Sequence, residues 1–403
     1  MYRTSLATKL KLFSRFVRKF SFVCVSENQE NLIVDVGKGK EVFPLVWLRD
    51  NCRCPSCFHK SSTSRIINWV DFNVSPKATS VQTTSDGNIV LQWNDKHIST
   101  FSLDWLKKRS FKEDAQQLYL HDNYRPTKVP WSCETFESIK KTYEYEDLLK
   151  SDEVLYNWLF DYARYGIVFI NNVPDEKHAA AKLCKRIGVI KSTHYEEEFK
   201  IKHIPGTSNV AYLSDALQLH TDLPYYDYVP GVTILHCLIQ TDGEGGDNLL
   251  VDGLYVAEKL RQENQEAFDL LSSVDVNWQD IGSEHGEKYH TILRCPVIKL
   301  DIHGNVDKIR QSGPQRDSHF TVNLKKVKPW YEAMKVFQKS ITSESIKLKL
   351  RPGEILAIDN VRLIHGRSSY SDSANKKRLI IGIHLDWDDL FSRMRALKRK
   401  IDA

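Results

Sequence analysis

The chain has 403 residues, and 57 Lys and Arg against 52 Asp and Glu give it a formal charge of +5. Six of those cations, Arg3, Lys9, Lys11, Arg15, Arg18 and Lys19, precede the first acid, Glu27, so the remainder sums to 51 minus 52, or −1. A nearly neutral body argues against a strongly basic nucleic-acid binder, 41% hydrophobic residues exclude global disorder, and no apolar run reaches the 18 residues of a membrane span.

In the N-terminal segment Leu6, Leu10, Phe13, Val17 and Phe20 recur at helical spacing, with Lys11, Arg15 and Arg18 on another face. With serines, no acids and no compact apolar stretch, residues 1–26 read as a mitochondrial targeting leader, and Arg18-Lys19-Phe20-Ser21 as its processing site. A surface helix lying on a membrane or partner is the alternative. The matrix is the expected compartment, the cytoplasm the alternative; a reducing matrix leaves the eight cysteines free or metal-bound.

Residues 31–113 read as a small β-rich domain, with strands expected at 42–47, 88–93 and 97–101. Residues 114–150, with Pro126 and Pro130, read as an irregular connecting segment. The second domain is expected over 151–403. Ser151 caps a helix carrying Leu155, Trp158, Leu159 and Tyr162, and Gly166 ends it. A strand at 167–170 and a helix at 175–187 follow, then buried strands at 232–239, 346–350, 355–358 and 379–385. Helices are expected at 254–273 and 390–400, and Arg351-Pro352-Gly353-Glu354 predicts a type II turn closing a hairpin. The class is mainly β with helices, its short bounded strands suiting a sandwich.

His220-Thr221-Asp222 places two metal-ligating groups on alternate residues, which an extended segment projects to one side. His365, after the strand expected at 355–358, offers a third from a strand-to-loop position. Two imidazoles and one carboxylate form the facial triad that suits Fe(II), leaving positions for a cosubstrate and O2. Arg378 can clamp the distal carboxylate of a dicarboxylic acid whose 2-oxo end chelates the metal. Against this stand a chance His-x-Asp in a chain with 14 His, and an Arg378 that is simply a surface charge.

Cys52, Cys54 and Cys57 are three thiols in six residues, an odd number that cannot all pair as disulfides. With His97 they can form a closed Cys3His zinc site with no catalytic position; buried free thiols are the competing reading. The run Lys107-Lys108-Arg109 raises nucleic-acid binding as a rival, although most such runs are solvated faces.

The stretches Val46-Trp47-Leu48-Arg49-Asp50-Asn51-Cys52, Asp104-Trp105-Leu106-Lys107-Lys108-Arg109, His220-Thr221-Asp222, Gly245-Gly246-Asp247 with Val251-Asp252-Gly253, and His365-Gly366-Arg367 resemble the γ-butyrobetaine and trimethyllysine dioxygenase family of carnitine biosynthesis. The resemblance runs from about residue 40 to residue 400. It implies a double-stranded β-helix (jelly-roll) catalytic domain behind a small zinc-binding domain. It further implies Fe(II) on His220, Asp222 and His365, structural Zn(II) on Cys52, Cys54, Cys57 and His97, and 2-oxoglutarate on Arg378. Asn248 stands beside that carboxylate, where related enzymes often have a hydroxyl residue; O2 is the other cosubstrate and ascorbate the reductant.

A trimethylammonium group makes no conventional hydrogen bonds and is recognised by aromatic faces. By resemblance Tyr195, Phe199, Tyr212 and His384 match cage positions, Phe199 in place of Trp and His384 in place of Tyr; Tyr225, Tyr226 and Tyr228 are further aromatic candidates. Asn209 favours γ-butyrobetaine, because a neutral amide can donate to a substrate carboxylate, whereas trimethyllysine enzymes tend to carry Asp there. The reaction implied is hydroxylation of γ-butyrobetaine at C3 to L-carnitine, with release of succinate and CO2. Trimethyllysine 3-hydroxylation, to which the leader points, a dioxygenase for another quaternary amine, and a non-catalytic metal-binding scaffold are the alternatives. The expected partner is a small quaternary-ammonium molecule, without nucleic acid or membrane span; a homodimer is left open.

Overall fold

A computed structural model of the chain describes residues 22–37, 39–204, 210–284, 286–372 and 377–402. Most of the expected leader, and Asn209, lie outside the described residues. The chain divides into two units, Met1–Asp122 and Asn123–Ala403.

The first unit contains two three-stranded antiparallel sheets, Val23–Val25, Asn31–Asp35 and Lys40–Pro44 in one, Ala78–Thr83, Asn88–Trp93 and Ile98–Ser102 in the other. Alternation decides which faces are inward: Ile89, Leu91 and Trp93 are buried with Leu32, Val34 and Phe43 in one core. The strand expected at 42–47 stops at Pro44, and Leu45–Asp50 is a helix. Pro44 holds the extended conformation at its N-cap, and Leu45 and Leu48, three residues apart, bury on one helical face.

The second unit is a jelly roll. Its larger sheet has six strands in the order Glu198–Ile201, Leu379–Leu385, Val232–Ile239, Glu354–Asp359, Ile167–Asn171, Thr142–Glu144. The smaller has four, Leu217–His220, Leu363–Arg367, Asn248–Asp252, Ile346–Leu348. Ile167 and Phe169 face the core between the sheets with Leu250 and Leu363, while Val168 and Ile170 face a helical layer containing Trp158, Leu183 and Leu390. Burial on both faces explains why these strands read as unbroken apolar runs. Behind the smaller sheet, Val251 and Ile364 pack against the helices Gly253–Glu263, Gln265–Ser273 and Leu324–Ser343.

Several expectations are corrected. The helix at 254–273 is two helices, because Asn264 ends the first and its side chain accepts the Ala267 N–H (3.0 Å) to start the second. The 114–150 stretch is not irregular: it holds the helices Glu113–Tyr119, Phe136–Ile139 and Tyr145–Lys150, and the strand Thr142–Glu144, which pairs in parallel with Ile167–Asn171. The helix at 175–187 begins only at Ala179. The type II turn forms, with Gly353 at φ +83° and the Glu354 N–H on the Arg351 carbonyl (3.1 Å). It closes no hairpin, because Ile346–Leu348 belongs to the smaller sheet and Glu354–Asp359 to the larger, so the chain there crosses between sheets.

A buried ion pair ties the smaller sheet together. The Arg362 guanidinium donates to both Asp252 carboxylate oxygens (3.0 and 2.7 Å), and the side chains are 1% and 0% exposed. Arg362 also donates to the Arg164 and Val129 carbonyls, and Asp252 accepts the backbone N–H groups of Trp131 and Leu254. Removing one charge leaves the other buried and uncompensated, so Asp252→Asn is expected to cost about 3–5 kcal/mol of stability. Urea unfolding checks this, and a cost below about 1 kcal/mol would contradict it.

Candidate active site

The strands Leu217–His220 and Leu363–Arg367 run antiparallel with His220 directly opposite His365. Opposed residues share a face, and the two imidazole centroids lie 4.4 Å apart. The approach depends on Gly366, where a Cβ would sit 2.7 Å from the Leu217 carbonyl oxygen. His365 is thus inside a strand of its own, not at the strand-to-loop position expected. The His220 Nδ1 lies 2.8 Å from the Gln218 carbonyl, a contact that requires a proton on Nδ1 and leaves the Nε2 lone pair for a metal.

Asp222 completes the group: its Oδ1 is 3.4 Å from the Nε2 of each histidine, and ligand atoms of all three residues lie within 4.8 Å of one another. The Thr233 hydroxyl donates to Oδ2 (2.8 Å), which turns Oδ1 toward the imidazoles. Asn360 grips the Asp222 backbone at both ends, accepting its N–H (2.7 Å) and donating to its carbonyl (3.0 Å). Burial pushes the Asp222 carboxyl up, but the His365 and His220 imidazoles outweigh it and hold the group well below the usual carboxylate range. Burial keeps His365 below the ordinary imidazole value against the pull of Asp222, which favours the neutral ligand form.

Beside these residues opens a cleft lined by Tyr195, Phe199, Tyr212 and His384 together with His220 and Asp222. Phe199 lies across Gly382 of the neighbouring strand, where a Cβ would meet its ring at 2.2 Å, and tilts against the His384 ring with centroids 4.9 Å apart. His384 Nδ1 is 3.2 Å from the Thr233 hydroxyl that also holds Asp222, so cleft wall and triad share one polar contact. Tyr195 and Tyr212 meet edge to face at 6.4 Å. Of the other candidate tyrosines, Tyr225 lines the cleft, Tyr226 bonds to His194, and Tyr228 is 82% exposed.

Arg378 is 3% exposed, and its Nε and Nη1 have no hydrogen-bond partner among the described residues. Its guanidinium lies 5.4 Å from the Tyr370 ring centroid, and a Cβ on Gly246 would be 3.6 Å from its Nε. Two residues beyond Gly246, the buried Asn248 Nδ2 is likewise unpartnered, on the strand whose Leu250 pairs with His365. Unpaired buried donors are costly, so both residues suit an anionic group that accepts from them.

In the first unit the His97 Nε2 lies 3.3, 3.6 and 3.6 Å from the sulfurs of Cys52, Cys54 and Cys57. Tetrahedral zinc bonds place nitrogen and sulfur ligands about 3.6 Å apart, so the cluster has the dimensions of a closed Cys3His site. Burial raises the Cys52 thiol to about 11; for Cys54 burial is outweighed by hydrogen bonds from Ser56 and Cys52, which bring it to about 7. Arg49 donates to the Cys57 sulfur (3.4 Å), and Asp95 accepts the His97 backbone N–H (2.9 Å).

Residues 128–384 match the family described as taurine catabolism dioxygenase TauD, TfdA family, and residues 24–107 match the gamma-butyrobetaine hydroxylase-like N-terminal family. The chain belongs to the TauD/TfdA dioxygenase family. It is 34% identical to human gamma-butyrobetaine dioxygenase over 367 residues, 90% of this chain and 93% of that protein. Identity to bovine mitochondrial trimethyllysine dioxygenase is 30% over 361 residues, 88% and 82% of the two chains. A solved asparagine oxygenase, in complex with Fe(II), 3-hydroxyasparagine and succinate, covers 63% of this chain and 91% of its own at 15% identity and TM-score 0.44.

As a TauD/TfdA dioxygenase the protein is an Fe(II)- and 2-oxoglutarate-dependent enzyme, and the residues present fit that chemistry. The triad brings three ligand atoms within 4.8 Å of one another, and the buried Arg378 and Asn248 each offer unpaired donors for a carboxylate. Sequence reasoning missed Thr233 and Asn360, which set the orientation of Asp222, and Gln218, Ser312 and Gln315 in the cleft lining. All are single polar residues without a local pattern to mark them.

Replacing Cys54 with Ser removes one of the four prospective zinc ligands. Metal analysis of purified Cys54→Ser is expected to show zinc well below one per chain and a lower melting temperature; a full zinc complement would contradict the Cys3His assignment.

Proposed function

We propose that this enzyme hydroxylates γ-butyrobetaine at C3 to give L-carnitine. One oxygen atom of O2 enters the product as the hydroxyl and the other enters succinate, while 2-oxoglutarate loses CO2. The reading is carried by the convergence of Tyr195, Phe199, Tyr212 and His384 with His220 and Asp222 on a single cleft. It is supported by the 34% identity to human gamma-butyrobetaine dioxygenase over nearly its whole length.

In this reading Fe(II) is held by His220, Asp222 and His365, and zinc by Cys52, Cys54, Cys57 and His97. Iron with 2-oxoglutarate supplies the O2 activation when bound. The protein's residues do the placing. Arg378 and Asn248 hold the distal carboxylate of 2-oxoglutarate through donors that otherwise have no partner. Asp222, held well below the usual carboxylate range, supplies the anionic ligand beside the two imidazoles. The aromatic faces of Tyr195, Phe199, Tyr212 and His384 surround the trimethylammonium group, and the Asn209 amide donates to the substrate carboxylate. Fixing both ends leaves the middle carbon toward the metal. Ascorbate keeps the iron reduced between turnovers, and the basic leader directs the protein to the mitochondrial matrix.

Trimethyllysine is the second reading, favoured by that leader and by the mitochondrial relatives at 30% identity. Its α-ammonium has no complementary acid at position 209, where this chain has Asn.

The test is a panel of γ-butyrobetaine, trimethyllysine and other quaternary amines with Fe(II), 2-oxoglutarate and ascorbate, assayed by succinate release and product mass spectrometry. γ-Butyrobetaine is expected to gain one oxygen at C3 with equimolar succinate, and Asp222→Ala to reduce every reaction to background. Turnover of trimethyllysine alone would overturn the substrate assignment, and wild-type turnover by Asp222→Ala would overturn the triad.

A further inference from the structure

One acidic group stands behind the aromatic wall of the cleft and has no part in holding iron or 2-oxoglutarate. The strands Val276–Glu284 and Glu287–Cys295 form an antiparallel hairpin, with Asp280 opposite Thr291 and Gly282 opposite Tyr289. A Cβ at Gly282 would lie 2.4 Å from the Tyr289 hydroxyl oxygen, so the glycine makes room for that ring to cross its partner strand. The crossing brings the Tyr289 hydroxyl to Asp280 Oδ2 at 3.4 Å, and the cleft residue Tyr195 donates to the same oxygen at 3.3 Å. His194 sits against both rings, with centroids 4.0 Å from Tyr195 and 4.2 Å from Tyr289.

The Asp280 side chain is 19% exposed, and among the described residues the one basic group at ion-pair distance is His194, with Nε2 at 3.9 Å. Burial lowers the His194 pKa further than Asp280 raises it, so at neutral pH the imidazole carries no compensating charge. The acid is therefore partly covered by tyrosines, without a charged basic side chain among the described residues at ion-pair distance. A phenol donating to a carboxylate presents a more electron-rich ring face, and the carboxylate's own field reaches the cleft through a poorly polarisable wall.

We propose that Asp280 is a positioning and specificity residue for the substrate's cationic end, acting through Tyr195 and Tyr289 so that the wall selects a quaternary ammonium over an uncharged group of the same shape. This rests on the reading of the cleft as a quaternary-ammonium site.

The test compares γ-butyrobetaine with its carbon isostere, in which a tert-butyl group replaces trimethylammonium. Dissociation constants are measured anaerobically on the Fe(II)- and 2-oxoglutarate-loaded protein, and KM and kcat are measured in air. In Asp280→Asn the γ-butyrobetaine dissociation constant and KM are expected to rise about tenfold, kcat to change less than about twofold, and affinity for the isostere to stay within about twofold. Asp280→Glu is expected to recover most of the cation preference. Asp280→Ser serves as a second neutral variant, and an unchanged affinity for 2-oxoglutarate reports that each variant is folded. An equal cation-to-isostere ratio in wild type and either neutral variant would overturn the role of Asp280. If wild type neither binds nor turns over any quaternary ammonium, the functional reading itself fails, a result distinct from the first.

Discussion

The pairing of His220 with His365 across two antiparallel strands is the constraint on which the rest of the site depends. A register shift of one residue would send one imidazole to the opposite face of the sheet and dissolve the cluster. The buried turn Asp359-Asn360-Val361-Arg362, immediately before the His365 strand, guards that register. Asn360 holds the backbone of Asp222, while Arg362 locks to Asp252, whose strand flanks Leu363–Arg367. The Asp359 carboxylate accepts the Trp387 indole N–H (3.0 Å) and so fixes the turn to the C-terminal helix. One turn thus orients the carboxylate and one histidine of the triad together, which is how a site assembled from distant segments keeps its geometry before any ion arrives.

What could be read in advance follows from where information is local. His220-Thr221-Asp222 and Cys52-x-Cys54-x-x-Cys57 place ligands within a few residues, so their chemistry is visible without the fold. The strands Val232–Ile239 and Leu379–Leu385 were legible to their ends, because burial on both faces leaves an unbroken apolar run. The five-residue strand carrying His365 was not, since its His, Gly and Arg answer to a prospective metal site, a close backbone contact and carbonyls of the 211–215 segment rather than a periodic pattern.

Turn chemistry was legible only locally. Gly353 fixes the bend, but which sheets the flanking strands join is decided by burial of Ile355 and Leu356 among residues distant in sequence. Pro44 and the pair Leu45 and Leu48 likewise converted an expected strand into a helix through packing that alternation alone does not show. Thr233, Asn360 and Asp280 act on residues 11 to 138 positions away, and no single-sequence signal links such partners.

Under the proposed function one cleft meets two recognition problems, a metal held by charge and geometry and an organic cation held by aromatic faces. In that function the cross-strand histidines and Asp222 serve as a preorganised Fe(II) site. Anaerobic calorimetric titration of Fe(II) in the presence of 2-oxoglutarate tests it most directly, comparing zinc-replete wild type with His365→Ala. Wild type is expected to bind one Fe(II) per chain and the variant to show no saturable Fe(II) binding; equal stoichiometry and affinity in the two proteins would rule out the triad as the iron site.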